Sequence, residues 1–291
     1  MRNLITAASV VFVATMCGFA LVYVLSEIYL SDVTYNSTFD YSIPDDAGSI
    51  EHGRYIARTR GCFGCHGQQL EGMNFDKQWD WPERAIAPNL AHLAKVNNAA
   101  TLEMAIRQGI GSNGKAMVSM PSYNFTRLSD KDTAALIAFL RSAPVVEKDL
   151  PPPKLGWRTR WDLVVGNQTH YAWWAELVPL LSLDSKLEPE LAHGEYLAMT
   201  MCNECHGLDL RGFQFSGEYV PDLAIIANVE FDEFERIVRT GRGFNGRHLG
   251  LMTLVAADRF STLTDFDIKS LHLYLSSLQG QPVSSPVFWR Q

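Results

Sequence analysis

The sequence has little of what usually explains a chain of 291 residues. Five cysteines are too few to staple a disulfide scaffold of this size. Basic residues are outnumbered, 25 Lys and Arg against 32 Asp and Glu, and they form no dense cluster of the kind that grips nucleic acid. Apolar residues are not scarce: at 47% they suffice for packed cores and exclude a disordered chain.

The charge is uneven. Residues 1–49 carry one basic side chain against five acidic, and 50–143 carry eleven against eight. Residues 144–187 are balanced at five each, and 188–291 carry eight against fourteen. A mildly basic first half and an acidic second half either orient docking or are two ordinary solvated surfaces.

Residues 4–25, LITAASVVFVATMCGFALVYVL, hold no charge. As a helix they rise about 33 Å, enough to cross a bilayer core. The run is longer than a signal-peptide core and no small-x-small site follows it, so residues 1–30 are predicted to be a retained single-pass transmembrane anchor. Arg2 precedes it and Glu27, Asp32, Asp40, Asp45 and Asp46 follow, which puts the N-terminus in the cytoplasm. Everything from the spacer 31–49 onward is then expected in a bacterial periplasm. Cys17 lies within the run, and Met16 before it is too large for a lipidation signal.

An internal repeat organises the rest. HGRYIARTRGCFGCHGQQLEGMNF (52–75) aligns with HGEYLAMTMCNECHGLDLRGFQF (193–215) after one gap. APNL (87–90) answers VPDL (220–223), and GIGSNGKAMVSM (109–120) answers GRGFNGRHLGLM (241–252). LSDKDTAALIAFL (128–140) answers LTDFDIKSLHLYL (263–275). The expected units are 50–143 and 190–282, with a linker over 144–189 and a tail over 283–291. Helical spacing of Asp132, Ala135, Leu136, Phe139 and Leu140, and of Ile268, Leu271, Tyr274 and Leu275, predicts a helix closing each unit. Ser129 and Thr264 stand as N-caps, with Asp132 and Asp267 three residues on. Shorter helices are expected near 50–60, 100–108, 191–200 and 231–240, and the glycine-rich loops argue against long strands. In the linker, Pro151–Pro153 marks a boundary. Trp157, Trp161, Trp173 and Trp174 either pack against the two units or form a docking surface for a partner or the membrane interface.

Each repeat contains a Cys-x-x-Cys-His motif: Cys62, Cys65 and His66, then Cys202, Cys205 and His206. Zinc needs four ligands but gives no reason for histidine to follow the second cysteine both times. A redox dithiol needs a βαβ setting that is missing here. Covalent haem explains all three residues: two thioethers to the vinyl groups and an imidazole to iron. Met120 and Met252, each at the same offset from its repeat's glycine pair, are the candidate sixth ligands. Met117 answers Leu249 and His248 answers Ala116, so neither competitor recurs. Met73, Met104, Met199 and Met201 read as core. His52 and His193 match across the repeat, whereas His92, His170 and His272 do not.

On CFGCH, CNECH, the PNL and PDL turns and the late methionines, the chain resembles the class I cytochromes c in a tandem dihaem, membrane-anchored form. That resemblance implies a mostly α fold: two cytochrome c-like helical domains, each enclosing a covalent haem c, after one transmembrane helix. It implies that Pro88 and Pro221 offer their carbonyls to His66 and His206. Met120 is followed by proline as in the family, whereas Met252 is followed by Thr253. The anchor and PPPKLGW linker are similar to those of cytochrome subunits of bacterial membrane-bound dehydrogenases. With His and Met on each iron the expected role is electron transfer. Donor and acceptor would be a respiratory or photosynthetic complex, a dehydrogenase, or a small soluble cytochrome or copper protein. The rival is a dihaem peroxidase or thiosulfate-oxidising enzyme with one catalytic haem.

Overall fold

Glycine lets two helices touch in each repeat. In the computed structural model, which describes residues 2–34, 39–77, 83–178, 188–215 and 218–280, α2 (Ala47–Thr59) crosses α6 (Asp130–Ser142) at Gly53. A Cβ on Gly53 would lie 2.0 Å from the Ala135 carbonyl oxygen. The second repeat does the same: α9 (Pro189–Leu197) crosses α13 (Asp265–Ser277), and a Cβ on Gly194 would lie 1.9 Å from the Ser270 oxygen. The predicted tail 283–291 lies outside the described residues.

The chain is mostly helical. Helix α1 (Arg2–Ser31) holds the apolar run, and α3 (Cys62–His66), α4 (Leu90–Val96) and α5 (Ala99–Glu103) lie between α2 and α6. The linker contributes α7 (Trp157–Val165) and α8 (Tyr171–Leu177). Helices α10 (Asn203–His206), α11 (Phe231–Thr240) and α12 (Leu251–Val255) lie between α9 and α13. Among the described residues, strands are limited to two antiparallel pairs, Met73–Asn74 with Ile86–Ala87 and Phe213–Phe215 with Glu218–Val220.

The predicted caps form. Ser129 accepts from the Asp132 N–H at 3.1 Å, and Thr264 and Asp267 exchange both bonds of a capping box. Ile56, Leu136, Ile137, Phe139 and Leu140 centre one core, and Leu197, Ile268, Leu271 and Leu275 the other. Tyr55 and Tyr196 pack against both.

Those tyrosines are exchanged between the repeats. Tyr55 Oη donates to Asp267 at 2.6 Å, and Tyr196 Oη donates to Asp132. Each aspartate also bonds its own repeat's histidine at 2.7 Å, His193 to Asp267 and His52 to Asp132. Between them Arg60, 3% exposed, donates to Thr59 at 2.8 Å and to the equivalent Thr200 at 2.9 Å. The result is a polar seam with approximate two-fold symmetry.

Helix α1 is not detached. Val22, Ser26 and Leu30 form its buried stripe, and the Leu30 carbonyl accepts from the Ala116 N–H at 2.8 Å. Glu27 pairs with Lys115 and, at 2.7 Å, with Arg160 of α7. Ile5–Ser31 is long and apolar enough to cross a membrane, with a mean hydropathy of 2.3.

Candidate haem site

The first Cys-x-x-Cys-His segment is α3 itself. Gly61, at φ 78°, turns the chain from α2 into it, and Gly67, at φ 85°, ends it. His66 is buried, and its Nδ1–H donates to the Pro88 carbonyl at 2.8 Å. Burial lowers the imidazole pKa while that hydrogen bond pulls the other way, so the ring is neutral and Nε2 is free to ligate.

A cavity of about 540 Å³ opens beside α3. Cys62, Cys65, His66 and Pro88 share its wall with Met120, and Leu93, Ile106, Val118, Phe125 and Leu136 supply apolar lining. Met117 also reaches the wall, so the cavity alone does not separate the two methionines. Two cysteines, a neutral imidazole and a thioether around an apolar slot are the donor set that covalent haem requires. The residues present fit the group.

Competing chemistries fit poorly. Burial pushes the Cys62 thiol up to about 12, so it is protonated at neutral pH, unlike the depressed thiol of a dithiol catalyst. Among the described residues no three of His, Cys, Asp and Glu converge as a metal cluster.

The second repeat rebuilds the same backbone. His206 Nδ1 donates to the Pro221 carbonyl at 2.9 Å, and burial again lowers the ring's pKa. Burial pushes Cys202 up to about 12 and Cys205 up to about 11. The His66 and His206 carbonyls accept from the Gly72 and Gly212 N–H groups, both at 2.8 Å. Leu70 and Leu210 take the same left-handed conformation, φ 62° and 63°, and both are 1% exposed. Met252 lies on α12, partly buried against the second core. Where the first repeat has Pro121, the Thr253 hydroxyl donates to the Gly241 carbonyl at 2.7 Å and accepts from the Leu249 N–H at 2.9 Å.

Sequence reasoning missed the parts of the first cavity that come from elsewhere. Lys154 and Leu155 of the linker line it, as do Glu204 and Arg259 of the second repeat. Arg259 bonds Glu204 at 2.6 Å and lies on Gly61, where a Cβ would come within 2.2 Å of its Cζ. Gly61 is the one-residue gap in the repeat alignment, and that gap was the available signal. His52 and His193 belong to the seam and do not line this cavity.

A helical domain with this donor set around an apolar slot defines a c-type cytochrome. Residues 50–144 match the cytochrome c family, which supports reading that segment as a class I cytochrome c domain. A domain of that family implies a covalently bound haem c. The chain is 26% identical to the cytochrome c subunit of the quinone-type alcohol dehydrogenase of Gluconobacter oxydans, covering 81% of this chain and 56% of that one. It is 26% identical to the gluconate 2-dehydrogenase cytochrome c subunit of Pantoea cypripedii, over 82% of this chain and 62% of the relative. It is 23% identical to the fructose dehydrogenase cytochrome subunit of Gluconobacter japonicus, over 81% and 54%. The chain thus spans little more than half the length of these relatives.

Proposed function

We propose that the chain is a membrane-anchored dihaem cytochrome c that carries electrons for a dehydrogenase. The observation that carries this reading is the recurrence, in both repeats, of a Cys-x-x-Cys-His segment whose histidine donates to a proline carbonyl, at 2.8 and 2.9 Å. In this reading Cys62 and Cys65, and Cys202 and Cys205, hold the two haems by thioethers. His66 with Met120, and His206 with Met252, would supply the imidazole and thioether ligands to the irons. Pro88 and Pro221 fix the imidazole orientation and raise its basicity. When bound, each haem supplies one-electron exchange at iron, and a thioether ligand raises its potential. The apolar residues around the first cavity exclude water, which favours the less charged, reduced state. The relatives named as dehydrogenase cytochrome subunits support a dehydrogenase as the partner. The apolar α1 supports a single-pass anchor, and Arg2 before the run with acidic residues after it supports placing the haem-bearing part in the periplasm.

The test is haem stoichiometry. Intact mass and haem absorbance should give two haems for the wild-type chain and one for Cys202→Ser/Cys205→Ser. A single haem in the wild type overturns the dihaem reading. Fast binding of carbon monoxide by the reduced wild type would mark an open ligand position and favour a catalytic haem instead.

A further inference from the structure

The four linker tryptophans have two fates. Trp174 packs on the second core, with Trp173 against it at 5.1 Å between ring centroids. Trp157 and Trp161 remain 40% and 48% exposed, and Val165 is 45% exposed. Their i, i+4, i+8 spacing makes one apolar stripe along α7. The other side of α7 is occupied. Thr159 and Leu163 are buried, and Arg160 donates to Ser26 at 2.8 Å and Glu27 at 2.7 Å with its guanidinium 4.2 Å above the Tyr23 ring.

What covers the stripe follows from where α7 meets α1. The Trp157 ring lies 4.2 Å from Phe19, Arg160 meets Tyr23 and Glu27, and Leu163 shares a cluster with Leu30. The two helices therefore climb in the same direction, with Trp157 nearest the apolar run. Phe19 precedes Leu25, the end of that run, by six residues, or about 9 Å of helix rise. Helices lying in the interface plane sink their apolar side about 5–10 Å into the boundary between headgroups and chains; α7 runs alongside α1 instead, so it is its tryptophan rings that would reach this layer. With α1 read as an anchor, contact with Phe19 would put Trp157 at a comparable depth, and Trp161 one turn closer to the polar layer. The Glu27, Arg160 and Lys115 cluster marks where that layer begins. Phe19 is itself 44% exposed within the run, and Leu21 and Val24 beside it are 58% and 51% exposed.

We propose that α7 is a membrane-interface element whose Trp157 and Trp161 insert among lipid headgroups beside α1 and so hold the first repeat against the bilayer. The inference rests on the reading of α1 as an anchor. Tryptophan is enriched at this depth because its ring is apolar and its N–H needs a polar partner. Arg158, with a side chain 77% exposed, follows Trp157 in sequence and can reach lipid phosphate.

The test places the photo-crosslinker p-benzoylphenylalanine in the full-length, haem-loaded chain at position 157, 161, 12 or 219, one at a time. The membrane vesicles come from cells that make the protein, and adducts are identified by mass. Phospholipid adducts are expected at 157, 161 and 12, and none at 219, the 75% exposed Tyr219 of the second repeat. Lipid at 12 but not at 157 or 161 overturns the proposal and leaves the anchor standing. A protein adduct at 161 overturns it in favour of a subunit contact. No lipid adduct at 12 overturns the anchor and, with it, the proposal.

Discussion

Arg60 carries its charge into a buried place where no carboxylate pairs with it directly: its guanidinium lies 5.7 Å from the Tyr196 ring centroid, and its charge is felt at Asp132. Arg60 is 3% exposed, its hydrogen bonds go to two neutral hydroxyls, and its Nε has no partner. Asp132 and Asp267 hold histidines, and no described carboxylate makes an ion pair with Arg60. The side chain lines the first cavity, and its charge is felt at both Cys62 and Cys202. A fixed positive charge beside a haem favours the reduced iron. At an effective dielectric constant near 20 the effect is on the order of 1 kcal/mol, or tens of millivolts for a one-electron couple. Met201 occupies the equivalent position in the second repeat and is 5% exposed, so methionine suits such a site. Arg60→Met is therefore expected to lower the midpoint potential in a spectroelectrochemical titration, and Arg60→Lys to restore most of it. An unchanged midpoint in a folded, fully haem-loaded Arg60→Met protein would sink this assignment.

At the scale of elements, local features were legible and crossings were not. The caps at Ser129 and Thr264, the apolar spacing of α6 and α13, and the bond from His66 to Pro88 all depend on residues close in sequence or on a motif. The single π-helical turns at Met104–Gln108, Ala198–Cys202 and Ala256–Phe260 have no such signature. Nor do α7 and α8, whose buried faces exist only because α1 and the two repeats are there to cover them. Gly53 and Gly194 lie between these cases. Their recurrence was visible, but only the helix crossings explain it. Replacing either by alanine puts a Cβ about 2 Å from a backbone oxygen, which must move. The overpacking cost of about 1–3 kcal/mol should exceed the gain of about 1 kcal/mol in helix propensity. Both Gly53→Ala and Gly194→Ala should lower Tm in calorimetry. Gly64→Ala, whose Cβ would meet nothing nearer than 3.9 Å, should not.

For the molecule as a whole, what ties the repeats together is the seam, and it was invisible in the sequence because each half looked complete. Asp132 and Asp267 read as partners of the helix caps Ser129 and Thr264. They are also the points where each repeat grips the other's tyrosine. Burial works to raise the Asp267 pKa, but hydrogen bonds from His193, Thr264 and Tyr55 outweigh it and hold the carboxyl well below the usual range. Asp132 is lowered in the same sense, against burial, by His52 and Tyr196. A carboxyl with a depressed folded pKa binds fewer protons folded than unfolded, so its contribution is fully present above the unfolded value of about 3.9. It is lost as pH falls from there through the folded pKa. Asp267→Asn removes that charge at every pH. The difference in Tm between wild type and Asp267→Asn should therefore be full from neutral pH to about pH 5 and shrink below about pH 4. Calorimetry across that range, on protein whose haem spectrum is unchanged, measures it directly. A difference that stayed constant down to about pH 3 would mean that Asp267 acts through geometry alone and that its charge does not hold the repeats together.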